Sequence, residues 1–142
     1  MIKTNETAKV GEGLPYQDVI NSLPFNKDGL LPAIAQQYDS GRVLMLAWMD
    51  RAALQETINT GRVCYYSRSR AQLWRKGESS NQIQSLVDLR LDCDGDTILL
   101  LVDQHGAACH TGRESCFYNA LRGDQVEVIE DPLIPPDQLY RR

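Results

Sequence analysis

Residues 91–117, LDCDGDTILLLVDQHGAACHTGRESCF, hold three of the chain's four cysteines, both of its histidines and aspartates at 92, 94 and 96. So many possible metal ligands in so short a stretch mark it as the candidate centre of any chemistry. Asp92-Cys93-Asp94-Gly95-Asp96 offers hard carboxylate oxygens and one soft sulfur, and Cys109 and Cys116 offer two more sulfurs. Hard and soft donors suit different cations, so two metal sites are open to such a sequence. In extended backbone, side chains alternate, which sends Asp92, Asp94 and Asp96 to one face and Cys93 to the other. Three gathered carboxylates repel one another, and a divalent cation such as Mg²⁺ relieves that repulsion. A solvated acidic hairpin turn is the plainer alternative. A calcium-binding EF-hand loop fails because Thr97 stands where that loop needs glycine and because the flanks read as strands.

The cysteines are spaced Cys93-x₁₅-Cys109-x₆-Cys116, which is not the close-pair spacing of a zinc finger. Three thiolates on zinc leave the fourth position to water, the arrangement of a catalytic site; buried free thiols are the alternative. Cys64, set among Val63, Tyr65 and Tyr66, reads as a core thiol. His110 follows Cys109 directly in a loop with Thr111 and Gly112, near any metal that Cys109 holds, where an imidazole can move protons at neutral pH. His105 reads as a turn residue. Residues 68–80 supply Arg68, Arg70, Arg75, Lys76, Ser79, Ser80 and the backbone N–H groups around Gly77, all donors for phosphate oxygens, while Trp74 offers a face for a flat base. Glu78 either orients those cations or binds metal. A solvated basic loop beside a core tryptophan is the competing reading.

The elements that must position these groups follow from periodicity and punctuation. At 142 residues the chain fits one domain with a true core. A net charge of -4 argues against a broad nucleic-acid face. The N-terminal stretch has no apolar signal core, and no run approaches the roughly 18 apolar residues of a membrane span. A cytoplasmic location is expected, where four cysteines serve as thiols or ligands rather than as disulfides. Residues 1–29 read as a peripheral arm with a helical turn or two. Residues 31–38 and 43–48 read as strands joined by Asp39-Ser40-Gly41, and Asp50 caps a helix that Gly61 stops. A third strand covers 63–66, and Ser69 is expected to cap a short helix through Leu73 and Trp74. A long strand covers 83–93, with Ile83, Ser85, Val87, Leu89 and Leu91 on one side and Gln84, Leu86, Asp88, Arg90 and Asp92 on the other. After the Asp-Gly turn, 97–102 pairs back. Residues 109–113 form a loop, 115–121 a short helix or strand, and 123–142 a peripheral tail made of a strand and an extended end. Strands dominate and no βαβ rhythm appears, so the class is α+β, mostly β.

Taken together, Trp74-Arg75-Lys76-Gly77-Glu78-Ser79-Ser80, Leu91-Asp92-Cys93-Asp94-Gly95-Asp96, Cys109-His110-Thr111-Gly112-Arg113 and Ser115-Cys116-Phe117-Tyr118 resemble the phosphoribosyl-AMP cyclohydrolase family. These are enzymes of histidine biosynthesis that open the adenine ring of phosphoribosyl-AMP between N1 and C6. The likeness runs from about residue 31 to 121. It implies a single cyclohydrolase domain over 1–142 with its catalytic core at 31–121, and a compact, folded mixed sheet resembling a pseudobarrel, completed as a homodimer. It further implies one zinc per subunit on Cys109 and Cys116 with Cys93 from the partner subunit, and magnesium on Asp92, Asp94 and Asp96. His110 would be catalytic, with Trp74, Arg75, Lys76, Glu78, Ser79 and Ser80 at the nucleotide; neither nucleic acid nor membrane is an expected partner. The chain departs from the family's usual pattern at Asn81, where glycine is usual, and at Gln82, where His or Asn is. Asparagine tolerates a left-handed backbone better than most residues, so the loop shape can survive. The rival reading from another class is a non-catalytic module fastened by zinc. Deamination of a free base is disfavoured because the H-x-E and P-C-x-x-C signature is missing.

Overall fold

The structure, a computed structural model, describes residues 1–139. Strands β1 (Leu31–Gln37) and β2 (Val43–Met49) form an antiparallel hairpin. Its turn is closed by the Gln36 side-chain amide donating to the Gly41 carbonyl, with Gly41 at φ 76°. Alternate residues of β1, Leu31, Ala33 and Ala35, are buried, as one face of a pleated strand requires. On its other edge β1 runs parallel to β6 (Ile98–Gln104), which pairs antiparallel with β5 (Gln84–Leu91). The order β2-β1-β6-β5 makes a mixed sheet, and with few helices the molecule is α+β and mostly strands. Ile98, Leu100 and Val102 form the centre of the core.

Helix α2 (Arg51–Thr60) begins where the Asp50 carboxylate accepts from the Ala53 N–H at 2.7 Å and ends at Gly61, φ 73°. It buries Ala53, Leu54 and Thr57. The Thr57 hydroxyl donates to Ala53 and accepts from the Cys64 N–H, tying the helix to β3 (Cys64–Ser67).

Four local expectations change. The short helix after Ser69 is instead strand β4 (Gln72–Arg75), paired with β3. Ala71 takes a left-handed φ of 52°, Ser67 rather than Ser69 accepts from the Arg70 N–H, and the Trp74 ring packs on Tyr65 at 5.4 Å; strand pairing and aromatic packing override the cap. The long strand does not alternate evenly, because a bulge between Leu86 and Asp88 reverses its faces. Gln84, Leu86, Leu89 and Leu91 therefore stand opposite Gln104, Val102, Leu100 and Ile98, with Val87 exposed. The strand ends at Leu91, so residues 92–97 are a turn, and the sorting of Cys93 from the aspartates by extended backbone does not apply. Finally, of the helix or strand expected over 115–121 the strand holds, but only from Asn119: 115–118 is loop, and β7 (Asn119–Arg122) forms an exposed hairpin with the expected peripheral strand, β8 (Gln125–Val128).

Both terminal segments of the described residues, expected to be peripheral, touch the body. Helix α1 (Tyr16–Ser22) buries Val19 and Ile20 in the core, preceded by a 3-10 helix at Ile2–Thr7. Helix α3 (Pro136–Leu139) buries Leu139.

Candidate functional site

A cavity of about 520 Å³ opens between the turn after β4, the loop before Cys116 and the segment after β6. Cys109, Cys116, His110, Lys76, Glu78, Ser79, Ser80 and Trp74 all line it. Arg75, Cys93, Asp92, Asp94 and Asp96 do not.

The split between Arg75 and Lys76 is a consequence of the strand period. Successive side chains at the end of β4 leave on opposite sides. Arg75 turns out to a bidentate pair with Glu56 of α2, at 2.8 and 2.7 Å, which holds the Glu56 carboxyl below its ordinary range. Lys76 turns in and is only 6% exposed. Burial pulls its ammonium downward, while the charges of Cys116 and Cys109 oppose that shift. Arg70 also faces the cavity, whereas Arg68 lies over the Trp48 ring.

The polar rim is set by close backbone packing. Gly77 has φ 86°, and a Cβ there would meet the Ile83 backbone nitrogen at 2.6 Å, so no other residue fits. Asn81 donates its N–H to the Gly77 carbonyl and holds φ 66°, the left-handed backbone that makes its replacement of glycine workable. Gln82 pins this rim to the opposite one: its Oε1 accepts from the Ala107 N–H at 2.8 Å, and its Nε2 donates to the Ser80 carbonyl. Behind them the Tyr65 hydroxyl donates to Gln84 at 2.7 Å, and Gln84 donates to Gln104 at 2.9 Å, a buried polar chain that lies beside Met45. Alternating hydrophobicity gives no signal for that chain, nor for Met45, Asn119 and Leu139 as cavity walls.

The thiols are held by two short loops. Cys109 donates its N–H to Arg113 and receives the Thr111 hydroxyl on sulfur at 3.1 Å. Cys116 donates its N–H to the Leu44 carbonyl, and Ser115 beside it donates to Val43. Cys116 is exposed on the cavity side, yet partial desolvation by the surrounding protein first, then the charge of Cys109 and a hydrogen bond to it, push its thiol up to about 12, against the pull of Lys76. Two cysteine sulfurs that face one cavity are a donor pair of the kind zinc takes, so the pair fits zinc. Among the described residues no three His, Cys, Asp or Glu side chains gather at one point. Cys93 is exposed in the acidic turn, so one chain presents two sulfurs here rather than three.

In that turn the Asp96 N–H bonds the Asp92 carboxylate at 3.0 Å, and the Gly95 N–H bonds the Asp92 carbonyl. Asp96 is pushed up by its hydrogen bond with the Asp92 carboxyl, by desolvation and by the charges of Asp92 and Asp94. Desolvation works upward on Asp92 too, but hydrogen bonds from Asp96, Thr97 and Gly95 hold it below the ordinary range. Two carboxyls competing for one proton are a donor set suited to a hard cation. Gly95 lies against Ile2 and Leu23, so the N-terminal segment backs this turn.

A recess that collects two thiols, an imidazole, a buried ammonium and a hydroxyl-bearing loop is an enzyme's site for a polar small molecule. Comparison with known proteins agrees. Residues 45–118 match the family model described as phosphoribosyl-AMP cyclohydrolase. The chain is 68% identical over 140 residues to the phosphoribosyl-AMP cyclohydrolase of Halorhodospira halophila, covering 99% of each. It is 66% identical to that of Alkalilimnicola ehrlichii over the whole of both chains, and 62% identical to phosphoribosyl-AMP cyclohydrolase 2 of Pseudomonas fluorescens, covering 90% of this chain and 87% of that one. The chain belongs to the phosphoribosyl-AMP cyclohydrolase family, hydrolases that act on a cyclic amidine.

Proposed function

We propose that this chain opens the adenine ring of phosphoribosyl-AMP, adding water across the N1–C6 bond, as a step of histidine biosynthesis. The observation that carries this reading is the single cavity in which Cys109, Cys116, His110 and Lys76 face the loop that holds Glu78, Ser79 and Ser80. At about 520 Å³ it falls within the ordinary range of ligand pockets. A ribosylated N1 leaves the ring electron-poor, so C6 is the atom open to attack by water.

Cys109 and Cys116 would hold zinc together with Cys93 of a second copy, and zinc so bound supplies Lewis-acid chemistry that lowers the pKa of a water. His110 takes the proton of the attacking water and returns one to N1 as the N1–C6 bond breaks. Lys76 and Arg70 supply positive charge for phosphate oxygens, and the Ser79 and Ser80 hydroxyls supply directional donors. Trp74 offers a flat face to a base. Asp92, Asp94 and Asp96, which do not gather at one point within this chain, would have to converge to hold magnesium. The reading includes a homodimer with metal sites at its interface and a cytoplasmic location. Among the described residues no helix is long and apolar enough to cross a membrane.

The test follows the absorbance change of phosphoribosyl-AMP on ring opening, with and without chelator, alongside zinc content. Wild type should turn over and lose activity to the chelator, and Cys109→Ser should lose zinc and activity together. Zinc bound without any turnover would favour a module that uses the metal only as a fastener. Full activity of zinc-free protein would refute the hydrolytic role of the thiols.

A further inference from the structure

The family match ends at Tyr118, yet the chain beyond it returns to the cavity. Glu130 is the first anchor. Its backbone carbonyl accepts from Arg113 Nε at 2.6 Å, and its carboxylate pairs with Arg42 and accepts from the Ser115 N–H. The second anchor is Gly112. Its carbonyl accepts the N–H groups of both Leu133 and Ile134, at 2.9 and 3.2 Å. Gly112 has φ 87°, and a Cβ there would run into the Ile134 carbonyl oxygen, with Pro132 beside it. The segment therefore lies directly on the loop that carries Cys109 and His110. From there α3 delivers Leu139, which is 3% exposed and lines the cavity. Leu139 is buried but is not part of the contiguous hydrophobic core.

We propose that Leu139 is a substrate-positioning residue: the strap over residues 130–139 carries it to the cavity as an apolar wall against which the nucleotide's base is held. This deepens the proposed ring opening and rests on it. Among the cavity's walls, Trp74, Met45, Ala107, Ala108 and Leu139 supply apolar surface, while Lys76, Arg70 and the serines supply polar contacts. A nucleotide divides in the same way, into a flat base and charged phosphates. An apolar wall that does not touch the reacting atoms contributes equally to substrate and transition-state binding, so its loss raises KM and leaves kcat alone.

The experiment is steady-state kinetics on phosphoribosyl-AMP with full-length wild type, Leu139→Ala, Leu139→Met and Leu139→Phe, with zinc content and melting temperature measured on each. Leu139→Ala should raise KM about tenfold or more, the lower end of what even one methylene is worth in an apolar pocket, with kcat within about twofold. Leu139→Met should restore KM, because it refills the wall with similar volume. Leu139→Phe keeps the surface apolar but takes up cavity volume, so its KM should rise without loss of stability, which keeps the test open if the alanine variant folds poorly. Unmoved KM in both the Ala and Phe variants would overturn the assignment, as would a fall in kcat that tracks melting temperature. No turnover by wild type would instead refute the ring-opening reading itself.

Discussion

Gly106→Ala is a small change with a calculable cost at the rim of the cavity. Gly106 has φ 72°, and an alanine forced there costs roughly 1–2 kcal/mol by left-handed strain alone. The new Cβ would also occupy the position of Gln82 Oε1. That oxygen is the end of a flexible side chain, so it can swing away, but doing so breaks its 2.8 Å bond from the Ala107 N–H. Ala107 is 1% exposed, and a buried N–H left unpaired costs about 1–3 kcal/mol. The substitution should therefore destabilise by about 3 kcal/mol and lower the melting temperature by about 10 °C. A double-mutant cycle with Gln82→Ala isolates the second part. Gln82→Ala already forfeits the Ala107 bond, so adding Gly106→Ala to it should cost only the backbone strain, and the two losses should fall short of additivity by about 1–2 kcal/mol. Thermal and urea unfolding of the four proteins measure it. Strict additivity would mean that the two side chains do not compete for one space, and a melting temperature equal to wild type would refute the left-handed strain as well.

Three further outcomes are expected. Arg75→Ala should leave KM for the nucleotide unchanged, because Arg75 is committed to Glu56 outside the cavity, whereas Lys76→Met should lower kcat/KM by about tenfold or more through loss of a buried charged contact; equal effects would put both cations at the substrate. Stability should fall above pH 9 in wild type more steeply than in Cys64→Ala. Burial and the charge of Glu56 push the folded thiol from 9.0 up to about 12, so the proton it retains contributes stability that is complete below pH 9 and lost as pH rises towards 12; parallel pH profiles would contradict this. Asp94→Asn should leave zinc content intact and remove either activity or its dependence on magnesium, by metal analysis and the ring-opening assay, and loss of zinc would show that the acidic turn and the thiols form one site.

The parts of the fold legible in the sequence are those decided locally. The β1–β2 hairpin announces itself by Asp39-Ser40-Gly41 between apolar runs, and α2 by Asp50 and Gly61, each acting within its own few residues. The parallel pairing of β1 with β6 has no local mark, since its partners lie more than sixty residues apart. The bulge at Val87 is equally silent, because one unpaired residue reverses the faces of a strand without changing its composition. Ser69 was a plausible cap that lost to the pairing of Tyr65 with Trp74 across two strands. At the site, the sequence shows Cys109, His110 and Cys116 close together in one stretch and Lys76 to Ser80 in another, but that the two stretches line one cavity is decided by the fold. Arg75 and Lys76 looked equivalent until the strand direction separated them. Leu139 had no signal, since an apolar residue in a polar tail has nothing in sequence to say what it faces.

The central place of β1 also sets an order of events. Its hairpin partner β2 is made immediately after it, but its other edge stays open until residues 98–104 exist to fill it. Through all of the intervening synthesis the nascent chain carries an unpaired strand edge above a half-built core. A fragment released before Ile98 would keep that edge permanently, with Ala33 and Ala35 still lacking their neighbours Ile98 and Leu100. Closure of the sheet is thus a late, long-range step, and the cavity, whose walls come from both sides of that seam, can exist only after it.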